Sequence, residues 1–353
     1  MKGGKRTLED KYLSNCTFVK TILMFFVIIG HSISFWNGAW FTALTPEKTS
    51  TIFYYLNIFI GGFHIYGFAL ISGYIFYYLK IEKHKYQNYL SFILTKLKRL
   101  IIPFIFVLVF WVIPINQYFF KYKSNEIIFR YLLGTNPSQL WFLLMLFWVF
   151  IIFWPLAHFV DQHSFYGFII MCCFYLVGLF GSNICSNYYM IWTACTYVLF
   201  FGCGFLIRKF KIEKLCNNSK LFSLLFIGSY FILFSIYVFT YNVGNVSAFY
   251  KIYSYGLQCI FHLVGGVSAF FVLQSLANTS LNNEITIKLA KYSMPIYLFH
   301  EQIIYVVIAL LNGKLNIYVL SIFCFVISVC LSYLISKLLF KWKFTRILIG
   351  EKS

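Results

Sequence analysis

The chain has 353 residues, 61% of them hydrophobic, 23% aromatic and only 11% charged, with a mean hydropathy of +0.77. A soluble chain carries about a quarter charged residues, so this composition excludes a soluble globule, a disordered chain and a secreted disulfide scaffold. Lys and Arg number 29 against 10 Asp and Glu, a net charge of +19; in so apolar a chain that excess reports membrane topology and lipid contact rather than nucleic acid.

Residues 1–19 read as a basic cytoplasmic segment carrying Lys2, Lys5, Arg6 and Lys11. No small-residue cleavage site follows, so the first apolar run reads as an uncleaved span rather than a signal peptide. Crossing the hydrocarbon takes about 20 apolar residues. By that rule ten helices are expected, near residues 20–41, 52–79, 100–119, 139–157, 164–181, 188–207, 220–241, 255–277, 293–312 and 315–340. Residues 20–340 then form a single transmembrane domain and 341–353 a basic cytoplasmic tail. The shortest break, Asp161-Gln162-His163, is decisive, because losing it would reverse every later span. With the N-terminus inside, about 22 Lys and Arg fall on the inner side and about 6 on the outer side. The expectation is therefore an all-α integral membrane bundle with both termini cytoplasmic. No loop is long enough for an extramembrane domain. The ten cysteines contain no C-x-x-C pair, so neither zinc nor redox chemistry is indicated and no metal is expected.

Ionisable groups inside spans are costly and are functional candidates by default. Four histidines fall there: His31, His64, His262 and His300, with Glu301 adjoining the last. Eleven helical positions separate Lys20 from His31, which is three turns plus about 20°, so the two share a helix face. Their separation is about 16 Å, which puts His31 near mid-bilayer if Lys20 marks the inner edge. A cation at the edge with an imidazole above it suits a long donor that has phosphates at the surface and its reactive end at depth. The structural alternative is a histidine bonded to a neighbouring helix. Around His64, the residues Gly61, Gly62, Gly67, Ser72 and Gly73 suit close helix packing, and His262 beside Gly265 and Gly266 reads as structural. Lys96, Lys98 and Arg99 stand just before the expected third span; they are either ordinary inside charge or a phosphate site. Tyr297 and His300 are i, i+3 neighbours on one face.

These residues resemble the membrane-bound acyltransferase family 3, and within it the fucose 4-O-acetylase-like acetyltransferases. The first span carries Lys-x10-His-Ser. Phe63 to Tyr74 is similar to the family's Phe-His-x-Pro-x-Phe-Phe-x-x-Ser-Gly-Tyr stretch, and Lys96-x-x-Arg99 with Pro103 to its Arg-x-x-Arg-x-x-x-Pro element. Leu140 to Leu143 resembles its Leu-Trp-Phe-Leu, and Ile296 to His300 its Tyr-Leu-x-His. The chain departs in having Lys20 and Lys96 where many members have Arg, and Tyr66-Gly67 in place of the second-span Pro. Lys keeps the charge but loses bidentate binding.

The resemblance implies an integral membrane enzyme that moves an acetyl group from cytoplasmic acetyl-CoA to a hydroxyl of a cell-envelope glycan or lipid-linked sugar, in a bacterial cell membrane. It implies His31 as general base or acyl acceptor, with Lys20, Lys96 and Arg99 (Lys98 as a further candidate) holding the CoA phosphates. His64, Tyr297, His300 and Glu301 are then pore-lining, orienting or acceptor-binding groups. The competing classes are a transporter or flippase for an envelope glycan, a glycan polymerase, and a sensor without chemistry. A transporter predicts no CoA binding. Inverted-repeat folds are disfavoured because no matching halves are visible, and a polymerase should carry a large basic outer loop.

Overall fold

The computed structural model describes residues 8–37, 44–213, 220–241, 248–279 and 281–351. Lys2, Lys5 and Arg6, the outer end expected for the first span at 38–41, and parts of two expected breaks, 214–219 and 242–247, lie outside the described residues. The described residues are helical, with no strand among them.

Among the described residues, ten helices are long and apolar enough to cross a membrane: α1 Ser14–Asn37, α2 Thr51–Glu82, α3 Tyr89–Phe120, α4 Ser138–Gln162, α5 Ser164–Ile184, α6 Tyr188–Lys209, α7 Leu221–Thr240, α8 Tyr250–Leu276, α9 Ser293–Leu311 and α10 Ile317–Leu339. In hydrocarbon every backbone group needs a partner within the chain, and the helix supplies it. Polar side chains within the spans follow the same economy. The hydroxyls of Ser32, Ser34 and Ser72 donate to carbonyls one turn back, at 2.8, 2.6 and 2.8 Å. Helix starts carry side-chain caps where the sequence provides them: Ser50 accepts from the Phe53 amide, Asn88 from Ser91 and Asn316 from Tyr318.

The short break at Asp161 holds. His163 leaves helical geometry (φ −122°, ψ 66°) between α4 and α5. Gly167 lets the returning helix close on Val160, where an added Cβ would sit 2.9 Å from the valine side chain. The ten-span count and the alternation of later helices therefore stand.

Two expected boundaries move. The helix carrying α1 begins at Leu8, twelve residues before Lys20. Lys20 and His31 each lie about 9 Å in from an end of α1. The third helix begins at Tyr89, so Lys96, Lys98 and Arg99 lie inside α3 rather than before it. Lys and Arg are good helix formers, and the cap at Asn88, not the charge run, sets the start. Within α3, wide π turns at Leu97–Ile101 and Leu108–Val112 each run up to an Ile-Pro pair. Pro103 and Pro114 have no amide hydrogen to donate, and the ladder widens one residue ahead of each.

The centre of the bundle is α2 crossing α6 at glycine. A Cβ on Gly73 would lie 1.8 Å from the Phe201 carbonyl oxygen, and one on Gly204 1.8 Å from that of Leu70. Such contact is the packing small residues permit between membrane helices. Around this pair, 67% of the α1, α6 and α9 windows is buried against 11% for α7, so α7 is a rim helix.

Candidate active site

A cavity of about 300 Å³ runs between α1, α2, α3, α4 and α9. From α1 it is lined by Lys20, Met24, Val27 and His31, the one-sided spacing of a helix face. The cavity thus joins the expected cation to the expected imidazole, and Lys96, Arg99 and Tyr297 line it as well.

At the histidine end, His31 Nδ1 lies 2.9 Å from His300 Nε2, and His300 Nδ1 lies 2.7 Å from the Tyr297 carbonyl oxygen. A carbonyl only accepts, so His300 Nδ1 carries the hydrogen. In a neutral ring His300 Nε2 is then an acceptor, and His31 Nδ1 donates to it. The tautomer of His31 follows: its lone pair sits on Nε2, where a general base or nucleophile needs it. Glu301 lies beneath this pair, with Oε2 4.0 Å from His31 Nδ1. Its Oε1 accepts from Ser138 Oγ at 3.1 Å and from the Tyr305 hydroxyl.

The first turn of α4 clamps α9 in place. Gln139 Nε2 donates to the Leu298 carbonyl and to Gln302 Oε1, both at 2.7 Å. The Tyr297 hydroxyl donates to the Gln139 carbonyl, and Trp111 Nε1 donates to the Phe299 carbonyl at 3.2 Å. Two successive α9 carbonyls, Leu298 and Phe299, therefore accept from side chains of α4 and α3, and the helix is held in rotation about its own axis.

At the cation end, Lys96 is only 8% exposed, and its Nζ sits 3.5 Å from the centre of the Phe150 ring. Lys20, Lys96 and Arg99 are close enough to repel one another. Among the described residues no carboxylate comes within 4 Å of any of them. Glu351 lines the same mouth; burial pushes its carboxyl up, while Arg99 and Lys291 pull it back. Of the three, Lys96 is buried, Lys20 half-buried and Arg99 exposed; a buried cation with no carboxylate beside it is expensive, and an anionic ligand would relieve the repulsion.

The family model described as an acyltransferase domain matches residues 15–337, nearly the whole chain. The chain belongs to this acyltransferase family, the membrane-bound acyltransferase family 3. No curated protein and no solved structure matches it. The match and the ten apolar helices together make this a multi-pass membrane acyltransferase, and they set it apart from transporters and polymerases.

Not every expected residue joins the acyltransferase cavity. His64 does not line it; its Nδ1 donates to the Ile60 carbonyl of its own turn at 2.6 Å. His300 and Glu301 are buried behind His31 rather than on the cavity wall. Tyr297 meets His300 through its carbonyl and also ring to ring, with centres 5.7 Å apart, as the i, i+3 spacing on one face allows. Lys98 is exposed and off the cavity, and His262 stacks on Tyr66 with ring centres 4.0 Å apart.

Several residues escaped sequence reading. Ser138, Gln139, Gln302 and Tyr305 hold the histidine pair, and Glu351 reaches the mouth. The polar pair Glu301-Gln302 inside an apolar run was an available signal for Gln302; nothing local marks the others. A second buried cluster was also missed. Arg208 binds Glu82 through two bonds of 2.8 Å, Tyr74 at 3.0 Å and Glu213 at 3.3 Å.

Proposed function

We propose that this acyltransferase moves an acetyl group from cytoplasmic acetyl-CoA to a hydroxyl of a cell-envelope glycan or lipid-linked sugar. The setting is a bacterial cell membrane, with both termini in the cytoplasm, as in the fucose 4-O-acetylase-like branch. One observation carries the reading: a cluster of cations and a tautomer-fixed histidine line the same cavity. Lys20, Lys96 and Arg99 receive the donor phosphates, and the thioester lies toward His31.

In the reaction, His31 Nε2 takes the proton of the acceptor hydroxyl as its oxygen attacks the thioester carbonyl. The carbon–sulfur bond breaks, and the leaving thiolate takes the proton back from Nε2. The products are the acetyl ester and CoA thiol, with no proton gained or lost. While the proton rests on His31, the carboxylate of Glu301 faces the cationic imidazole pair and His300 keeps its orientation.

Changing His31→Ala should lower acetyl-CoA turnover with acceptor-containing envelope extract by about 10²–10⁴-fold, the usual worth of general acid–base catalysis. Wild-type turnover in a folded variant would overturn the assignment. Binding of radiolabelled acetyl-CoA to the detergent-solubilised chain tests the donor independently.

A further inference from the structure

The Trp141-Phe142 pair has no task in the chemistry so far, yet both residues line the cavity. Phe142 stands 6.2 Å from the Tyr297 ring, which is 5.7 Å from His300, the partner of His31. Across the cavity Phe142 meets Phe68 at 5.8 Å, and Phe68 also lines the wall. These two rings meet where the acyl end of a thioester presented to His31 would lie.

The wall is braced from behind. Trp141 packs edge-on to Phe142 at 6.0 Å and to Tyr197 at 6.0 Å. Tyr197 stacks on Tyr66 at 5.2 Å with only 6° between planes, and Tyr66 stacks on His262. A ring wall backed by stacked rings cannot move aside cheaply, because interiors packed this way resist added methylenes. The cavity, at about 300 Å³, lies at the small end of ligand pockets, and the pantetheine arm must share it with the acyl group.

We propose that Phe142, with Phe68 opposite and Trp141 behind, closes the acyl end of the cavity and restricts the donor to short acyl thioesters of about acetyl size. The inference rests on the donor reading above and adds to it a gauge on chain length.

The test uses the full chain in detergent and measures competition of CoA, acetyl-CoA, butyryl-CoA and hexanoyl-CoA against radiolabelled acetyl-CoA. In the wild type, hexanoyl-CoA should bind at least about tenfold more weakly than acetyl-CoA, since one misplaced methylene in a tight pocket is worth about 10–200-fold. Phe142→Ala and Phe68→Ala should each raise the affinity of hexanoyl-CoA relative to acetyl-CoA by about tenfold. Phe142→Leu, a gentler change, should shift the ratio in the same direction by less. Retained binding of CoA itself reports that a variant is folded. Equal binding of hexanoyl- and acetyl-CoA by the wild type overturns the gauge, as does an unchanged ratio in variants that still bind CoA; the donor reading survives both results. If the wild type binds no CoA at all, the donor reading falls and takes the gauge with it.

Discussion

Two of the protein's buried cations, Arg208 and Lys96, are treated in opposite ways. Arg208 is enclosed by two carboxylates and a phenol, so each of its charged neighbours has a partner. Lys20, Lys96 and Arg99 share a cavity, and among the described residues no carboxylate lies within 4 Å of them. A buried charge with partners serves the fold, and removing one member leaves the rest stranded. A buried charge without them is a standing cost. Because Lys96 also lines the cavity, the contrast separates a structural ion network from a candidate ligand site without reference to any relative.

The contrast can be broken first at Arg208. Arg208→Met should strand Glu82 and Glu213 and destabilise the protein by about 3–5 kcal/mol, read as a large drop in the unfolding midpoint in detergent. An unchanged midpoint would show that the network is not structural. Lys96→Met should do the reverse. It removes an uncompensated cation from among rings, so the midpoint should hold or rise, while the KM for acetyl-CoA increases about tenfold or more, the worth of one hydrogen bond to a charged group. A lower midpoint with an unchanged KM would make Lys96 a structural residue. The smallest effect concerns Glu213. Burial pushes its carboxyl up, with Arg208 pulling against the shift. Between the ordinary carboxylate range and the raised value, the folded protein holds a proton that the unfolded chain has released. Stability therefore falls as pH rises through that window. Glu213→Gln should flatten this part of the stability profile, and a slope identical to wild type would assign it to another group.

Much of the bundle was legible because hydrocarbon admits so few solutions. Apolar runs separated by charge, or by the three residues at Asp161, mark all ten spans. Where the ends were misplaced, the cause was the same at both sites. Lys20 and Lys96 read as edge markers, but long basic side chains continue a helix without breaking it, and their stems pack along apolar surface. The shared face of Lys20 and His31 followed from helical period alone. The partner of His31 did not, since His300 lies 269 positions away and only the packing of α1 on α9 brings the rings together. His64 shows the opposite case. A histidine in a glycine-rich span invited a functional reading, and a carbonyl four residues back satisfies it. Glu351 and Ser138 gave no signal, because each gains its place from the chain's third dimension and not from any local pattern.

The aromatic seat of Lys96 bears on how quickly the donor is captured. A ring face attracts an ammonium without cancelling its charge, whereas a carboxylate would neutralise it. On the donor reading proposed above, Lys20, Lys96 and Arg99 give the cavity a positive field that draws anions in before contact. Capture of a polyanionic donor should accelerate as salt is diluted, because the Debye length grows from about 8 Å at physiological ionic strength to about 30 Å at 0.01 M. On that donor reading, the cavity's three cations thus act as a lure.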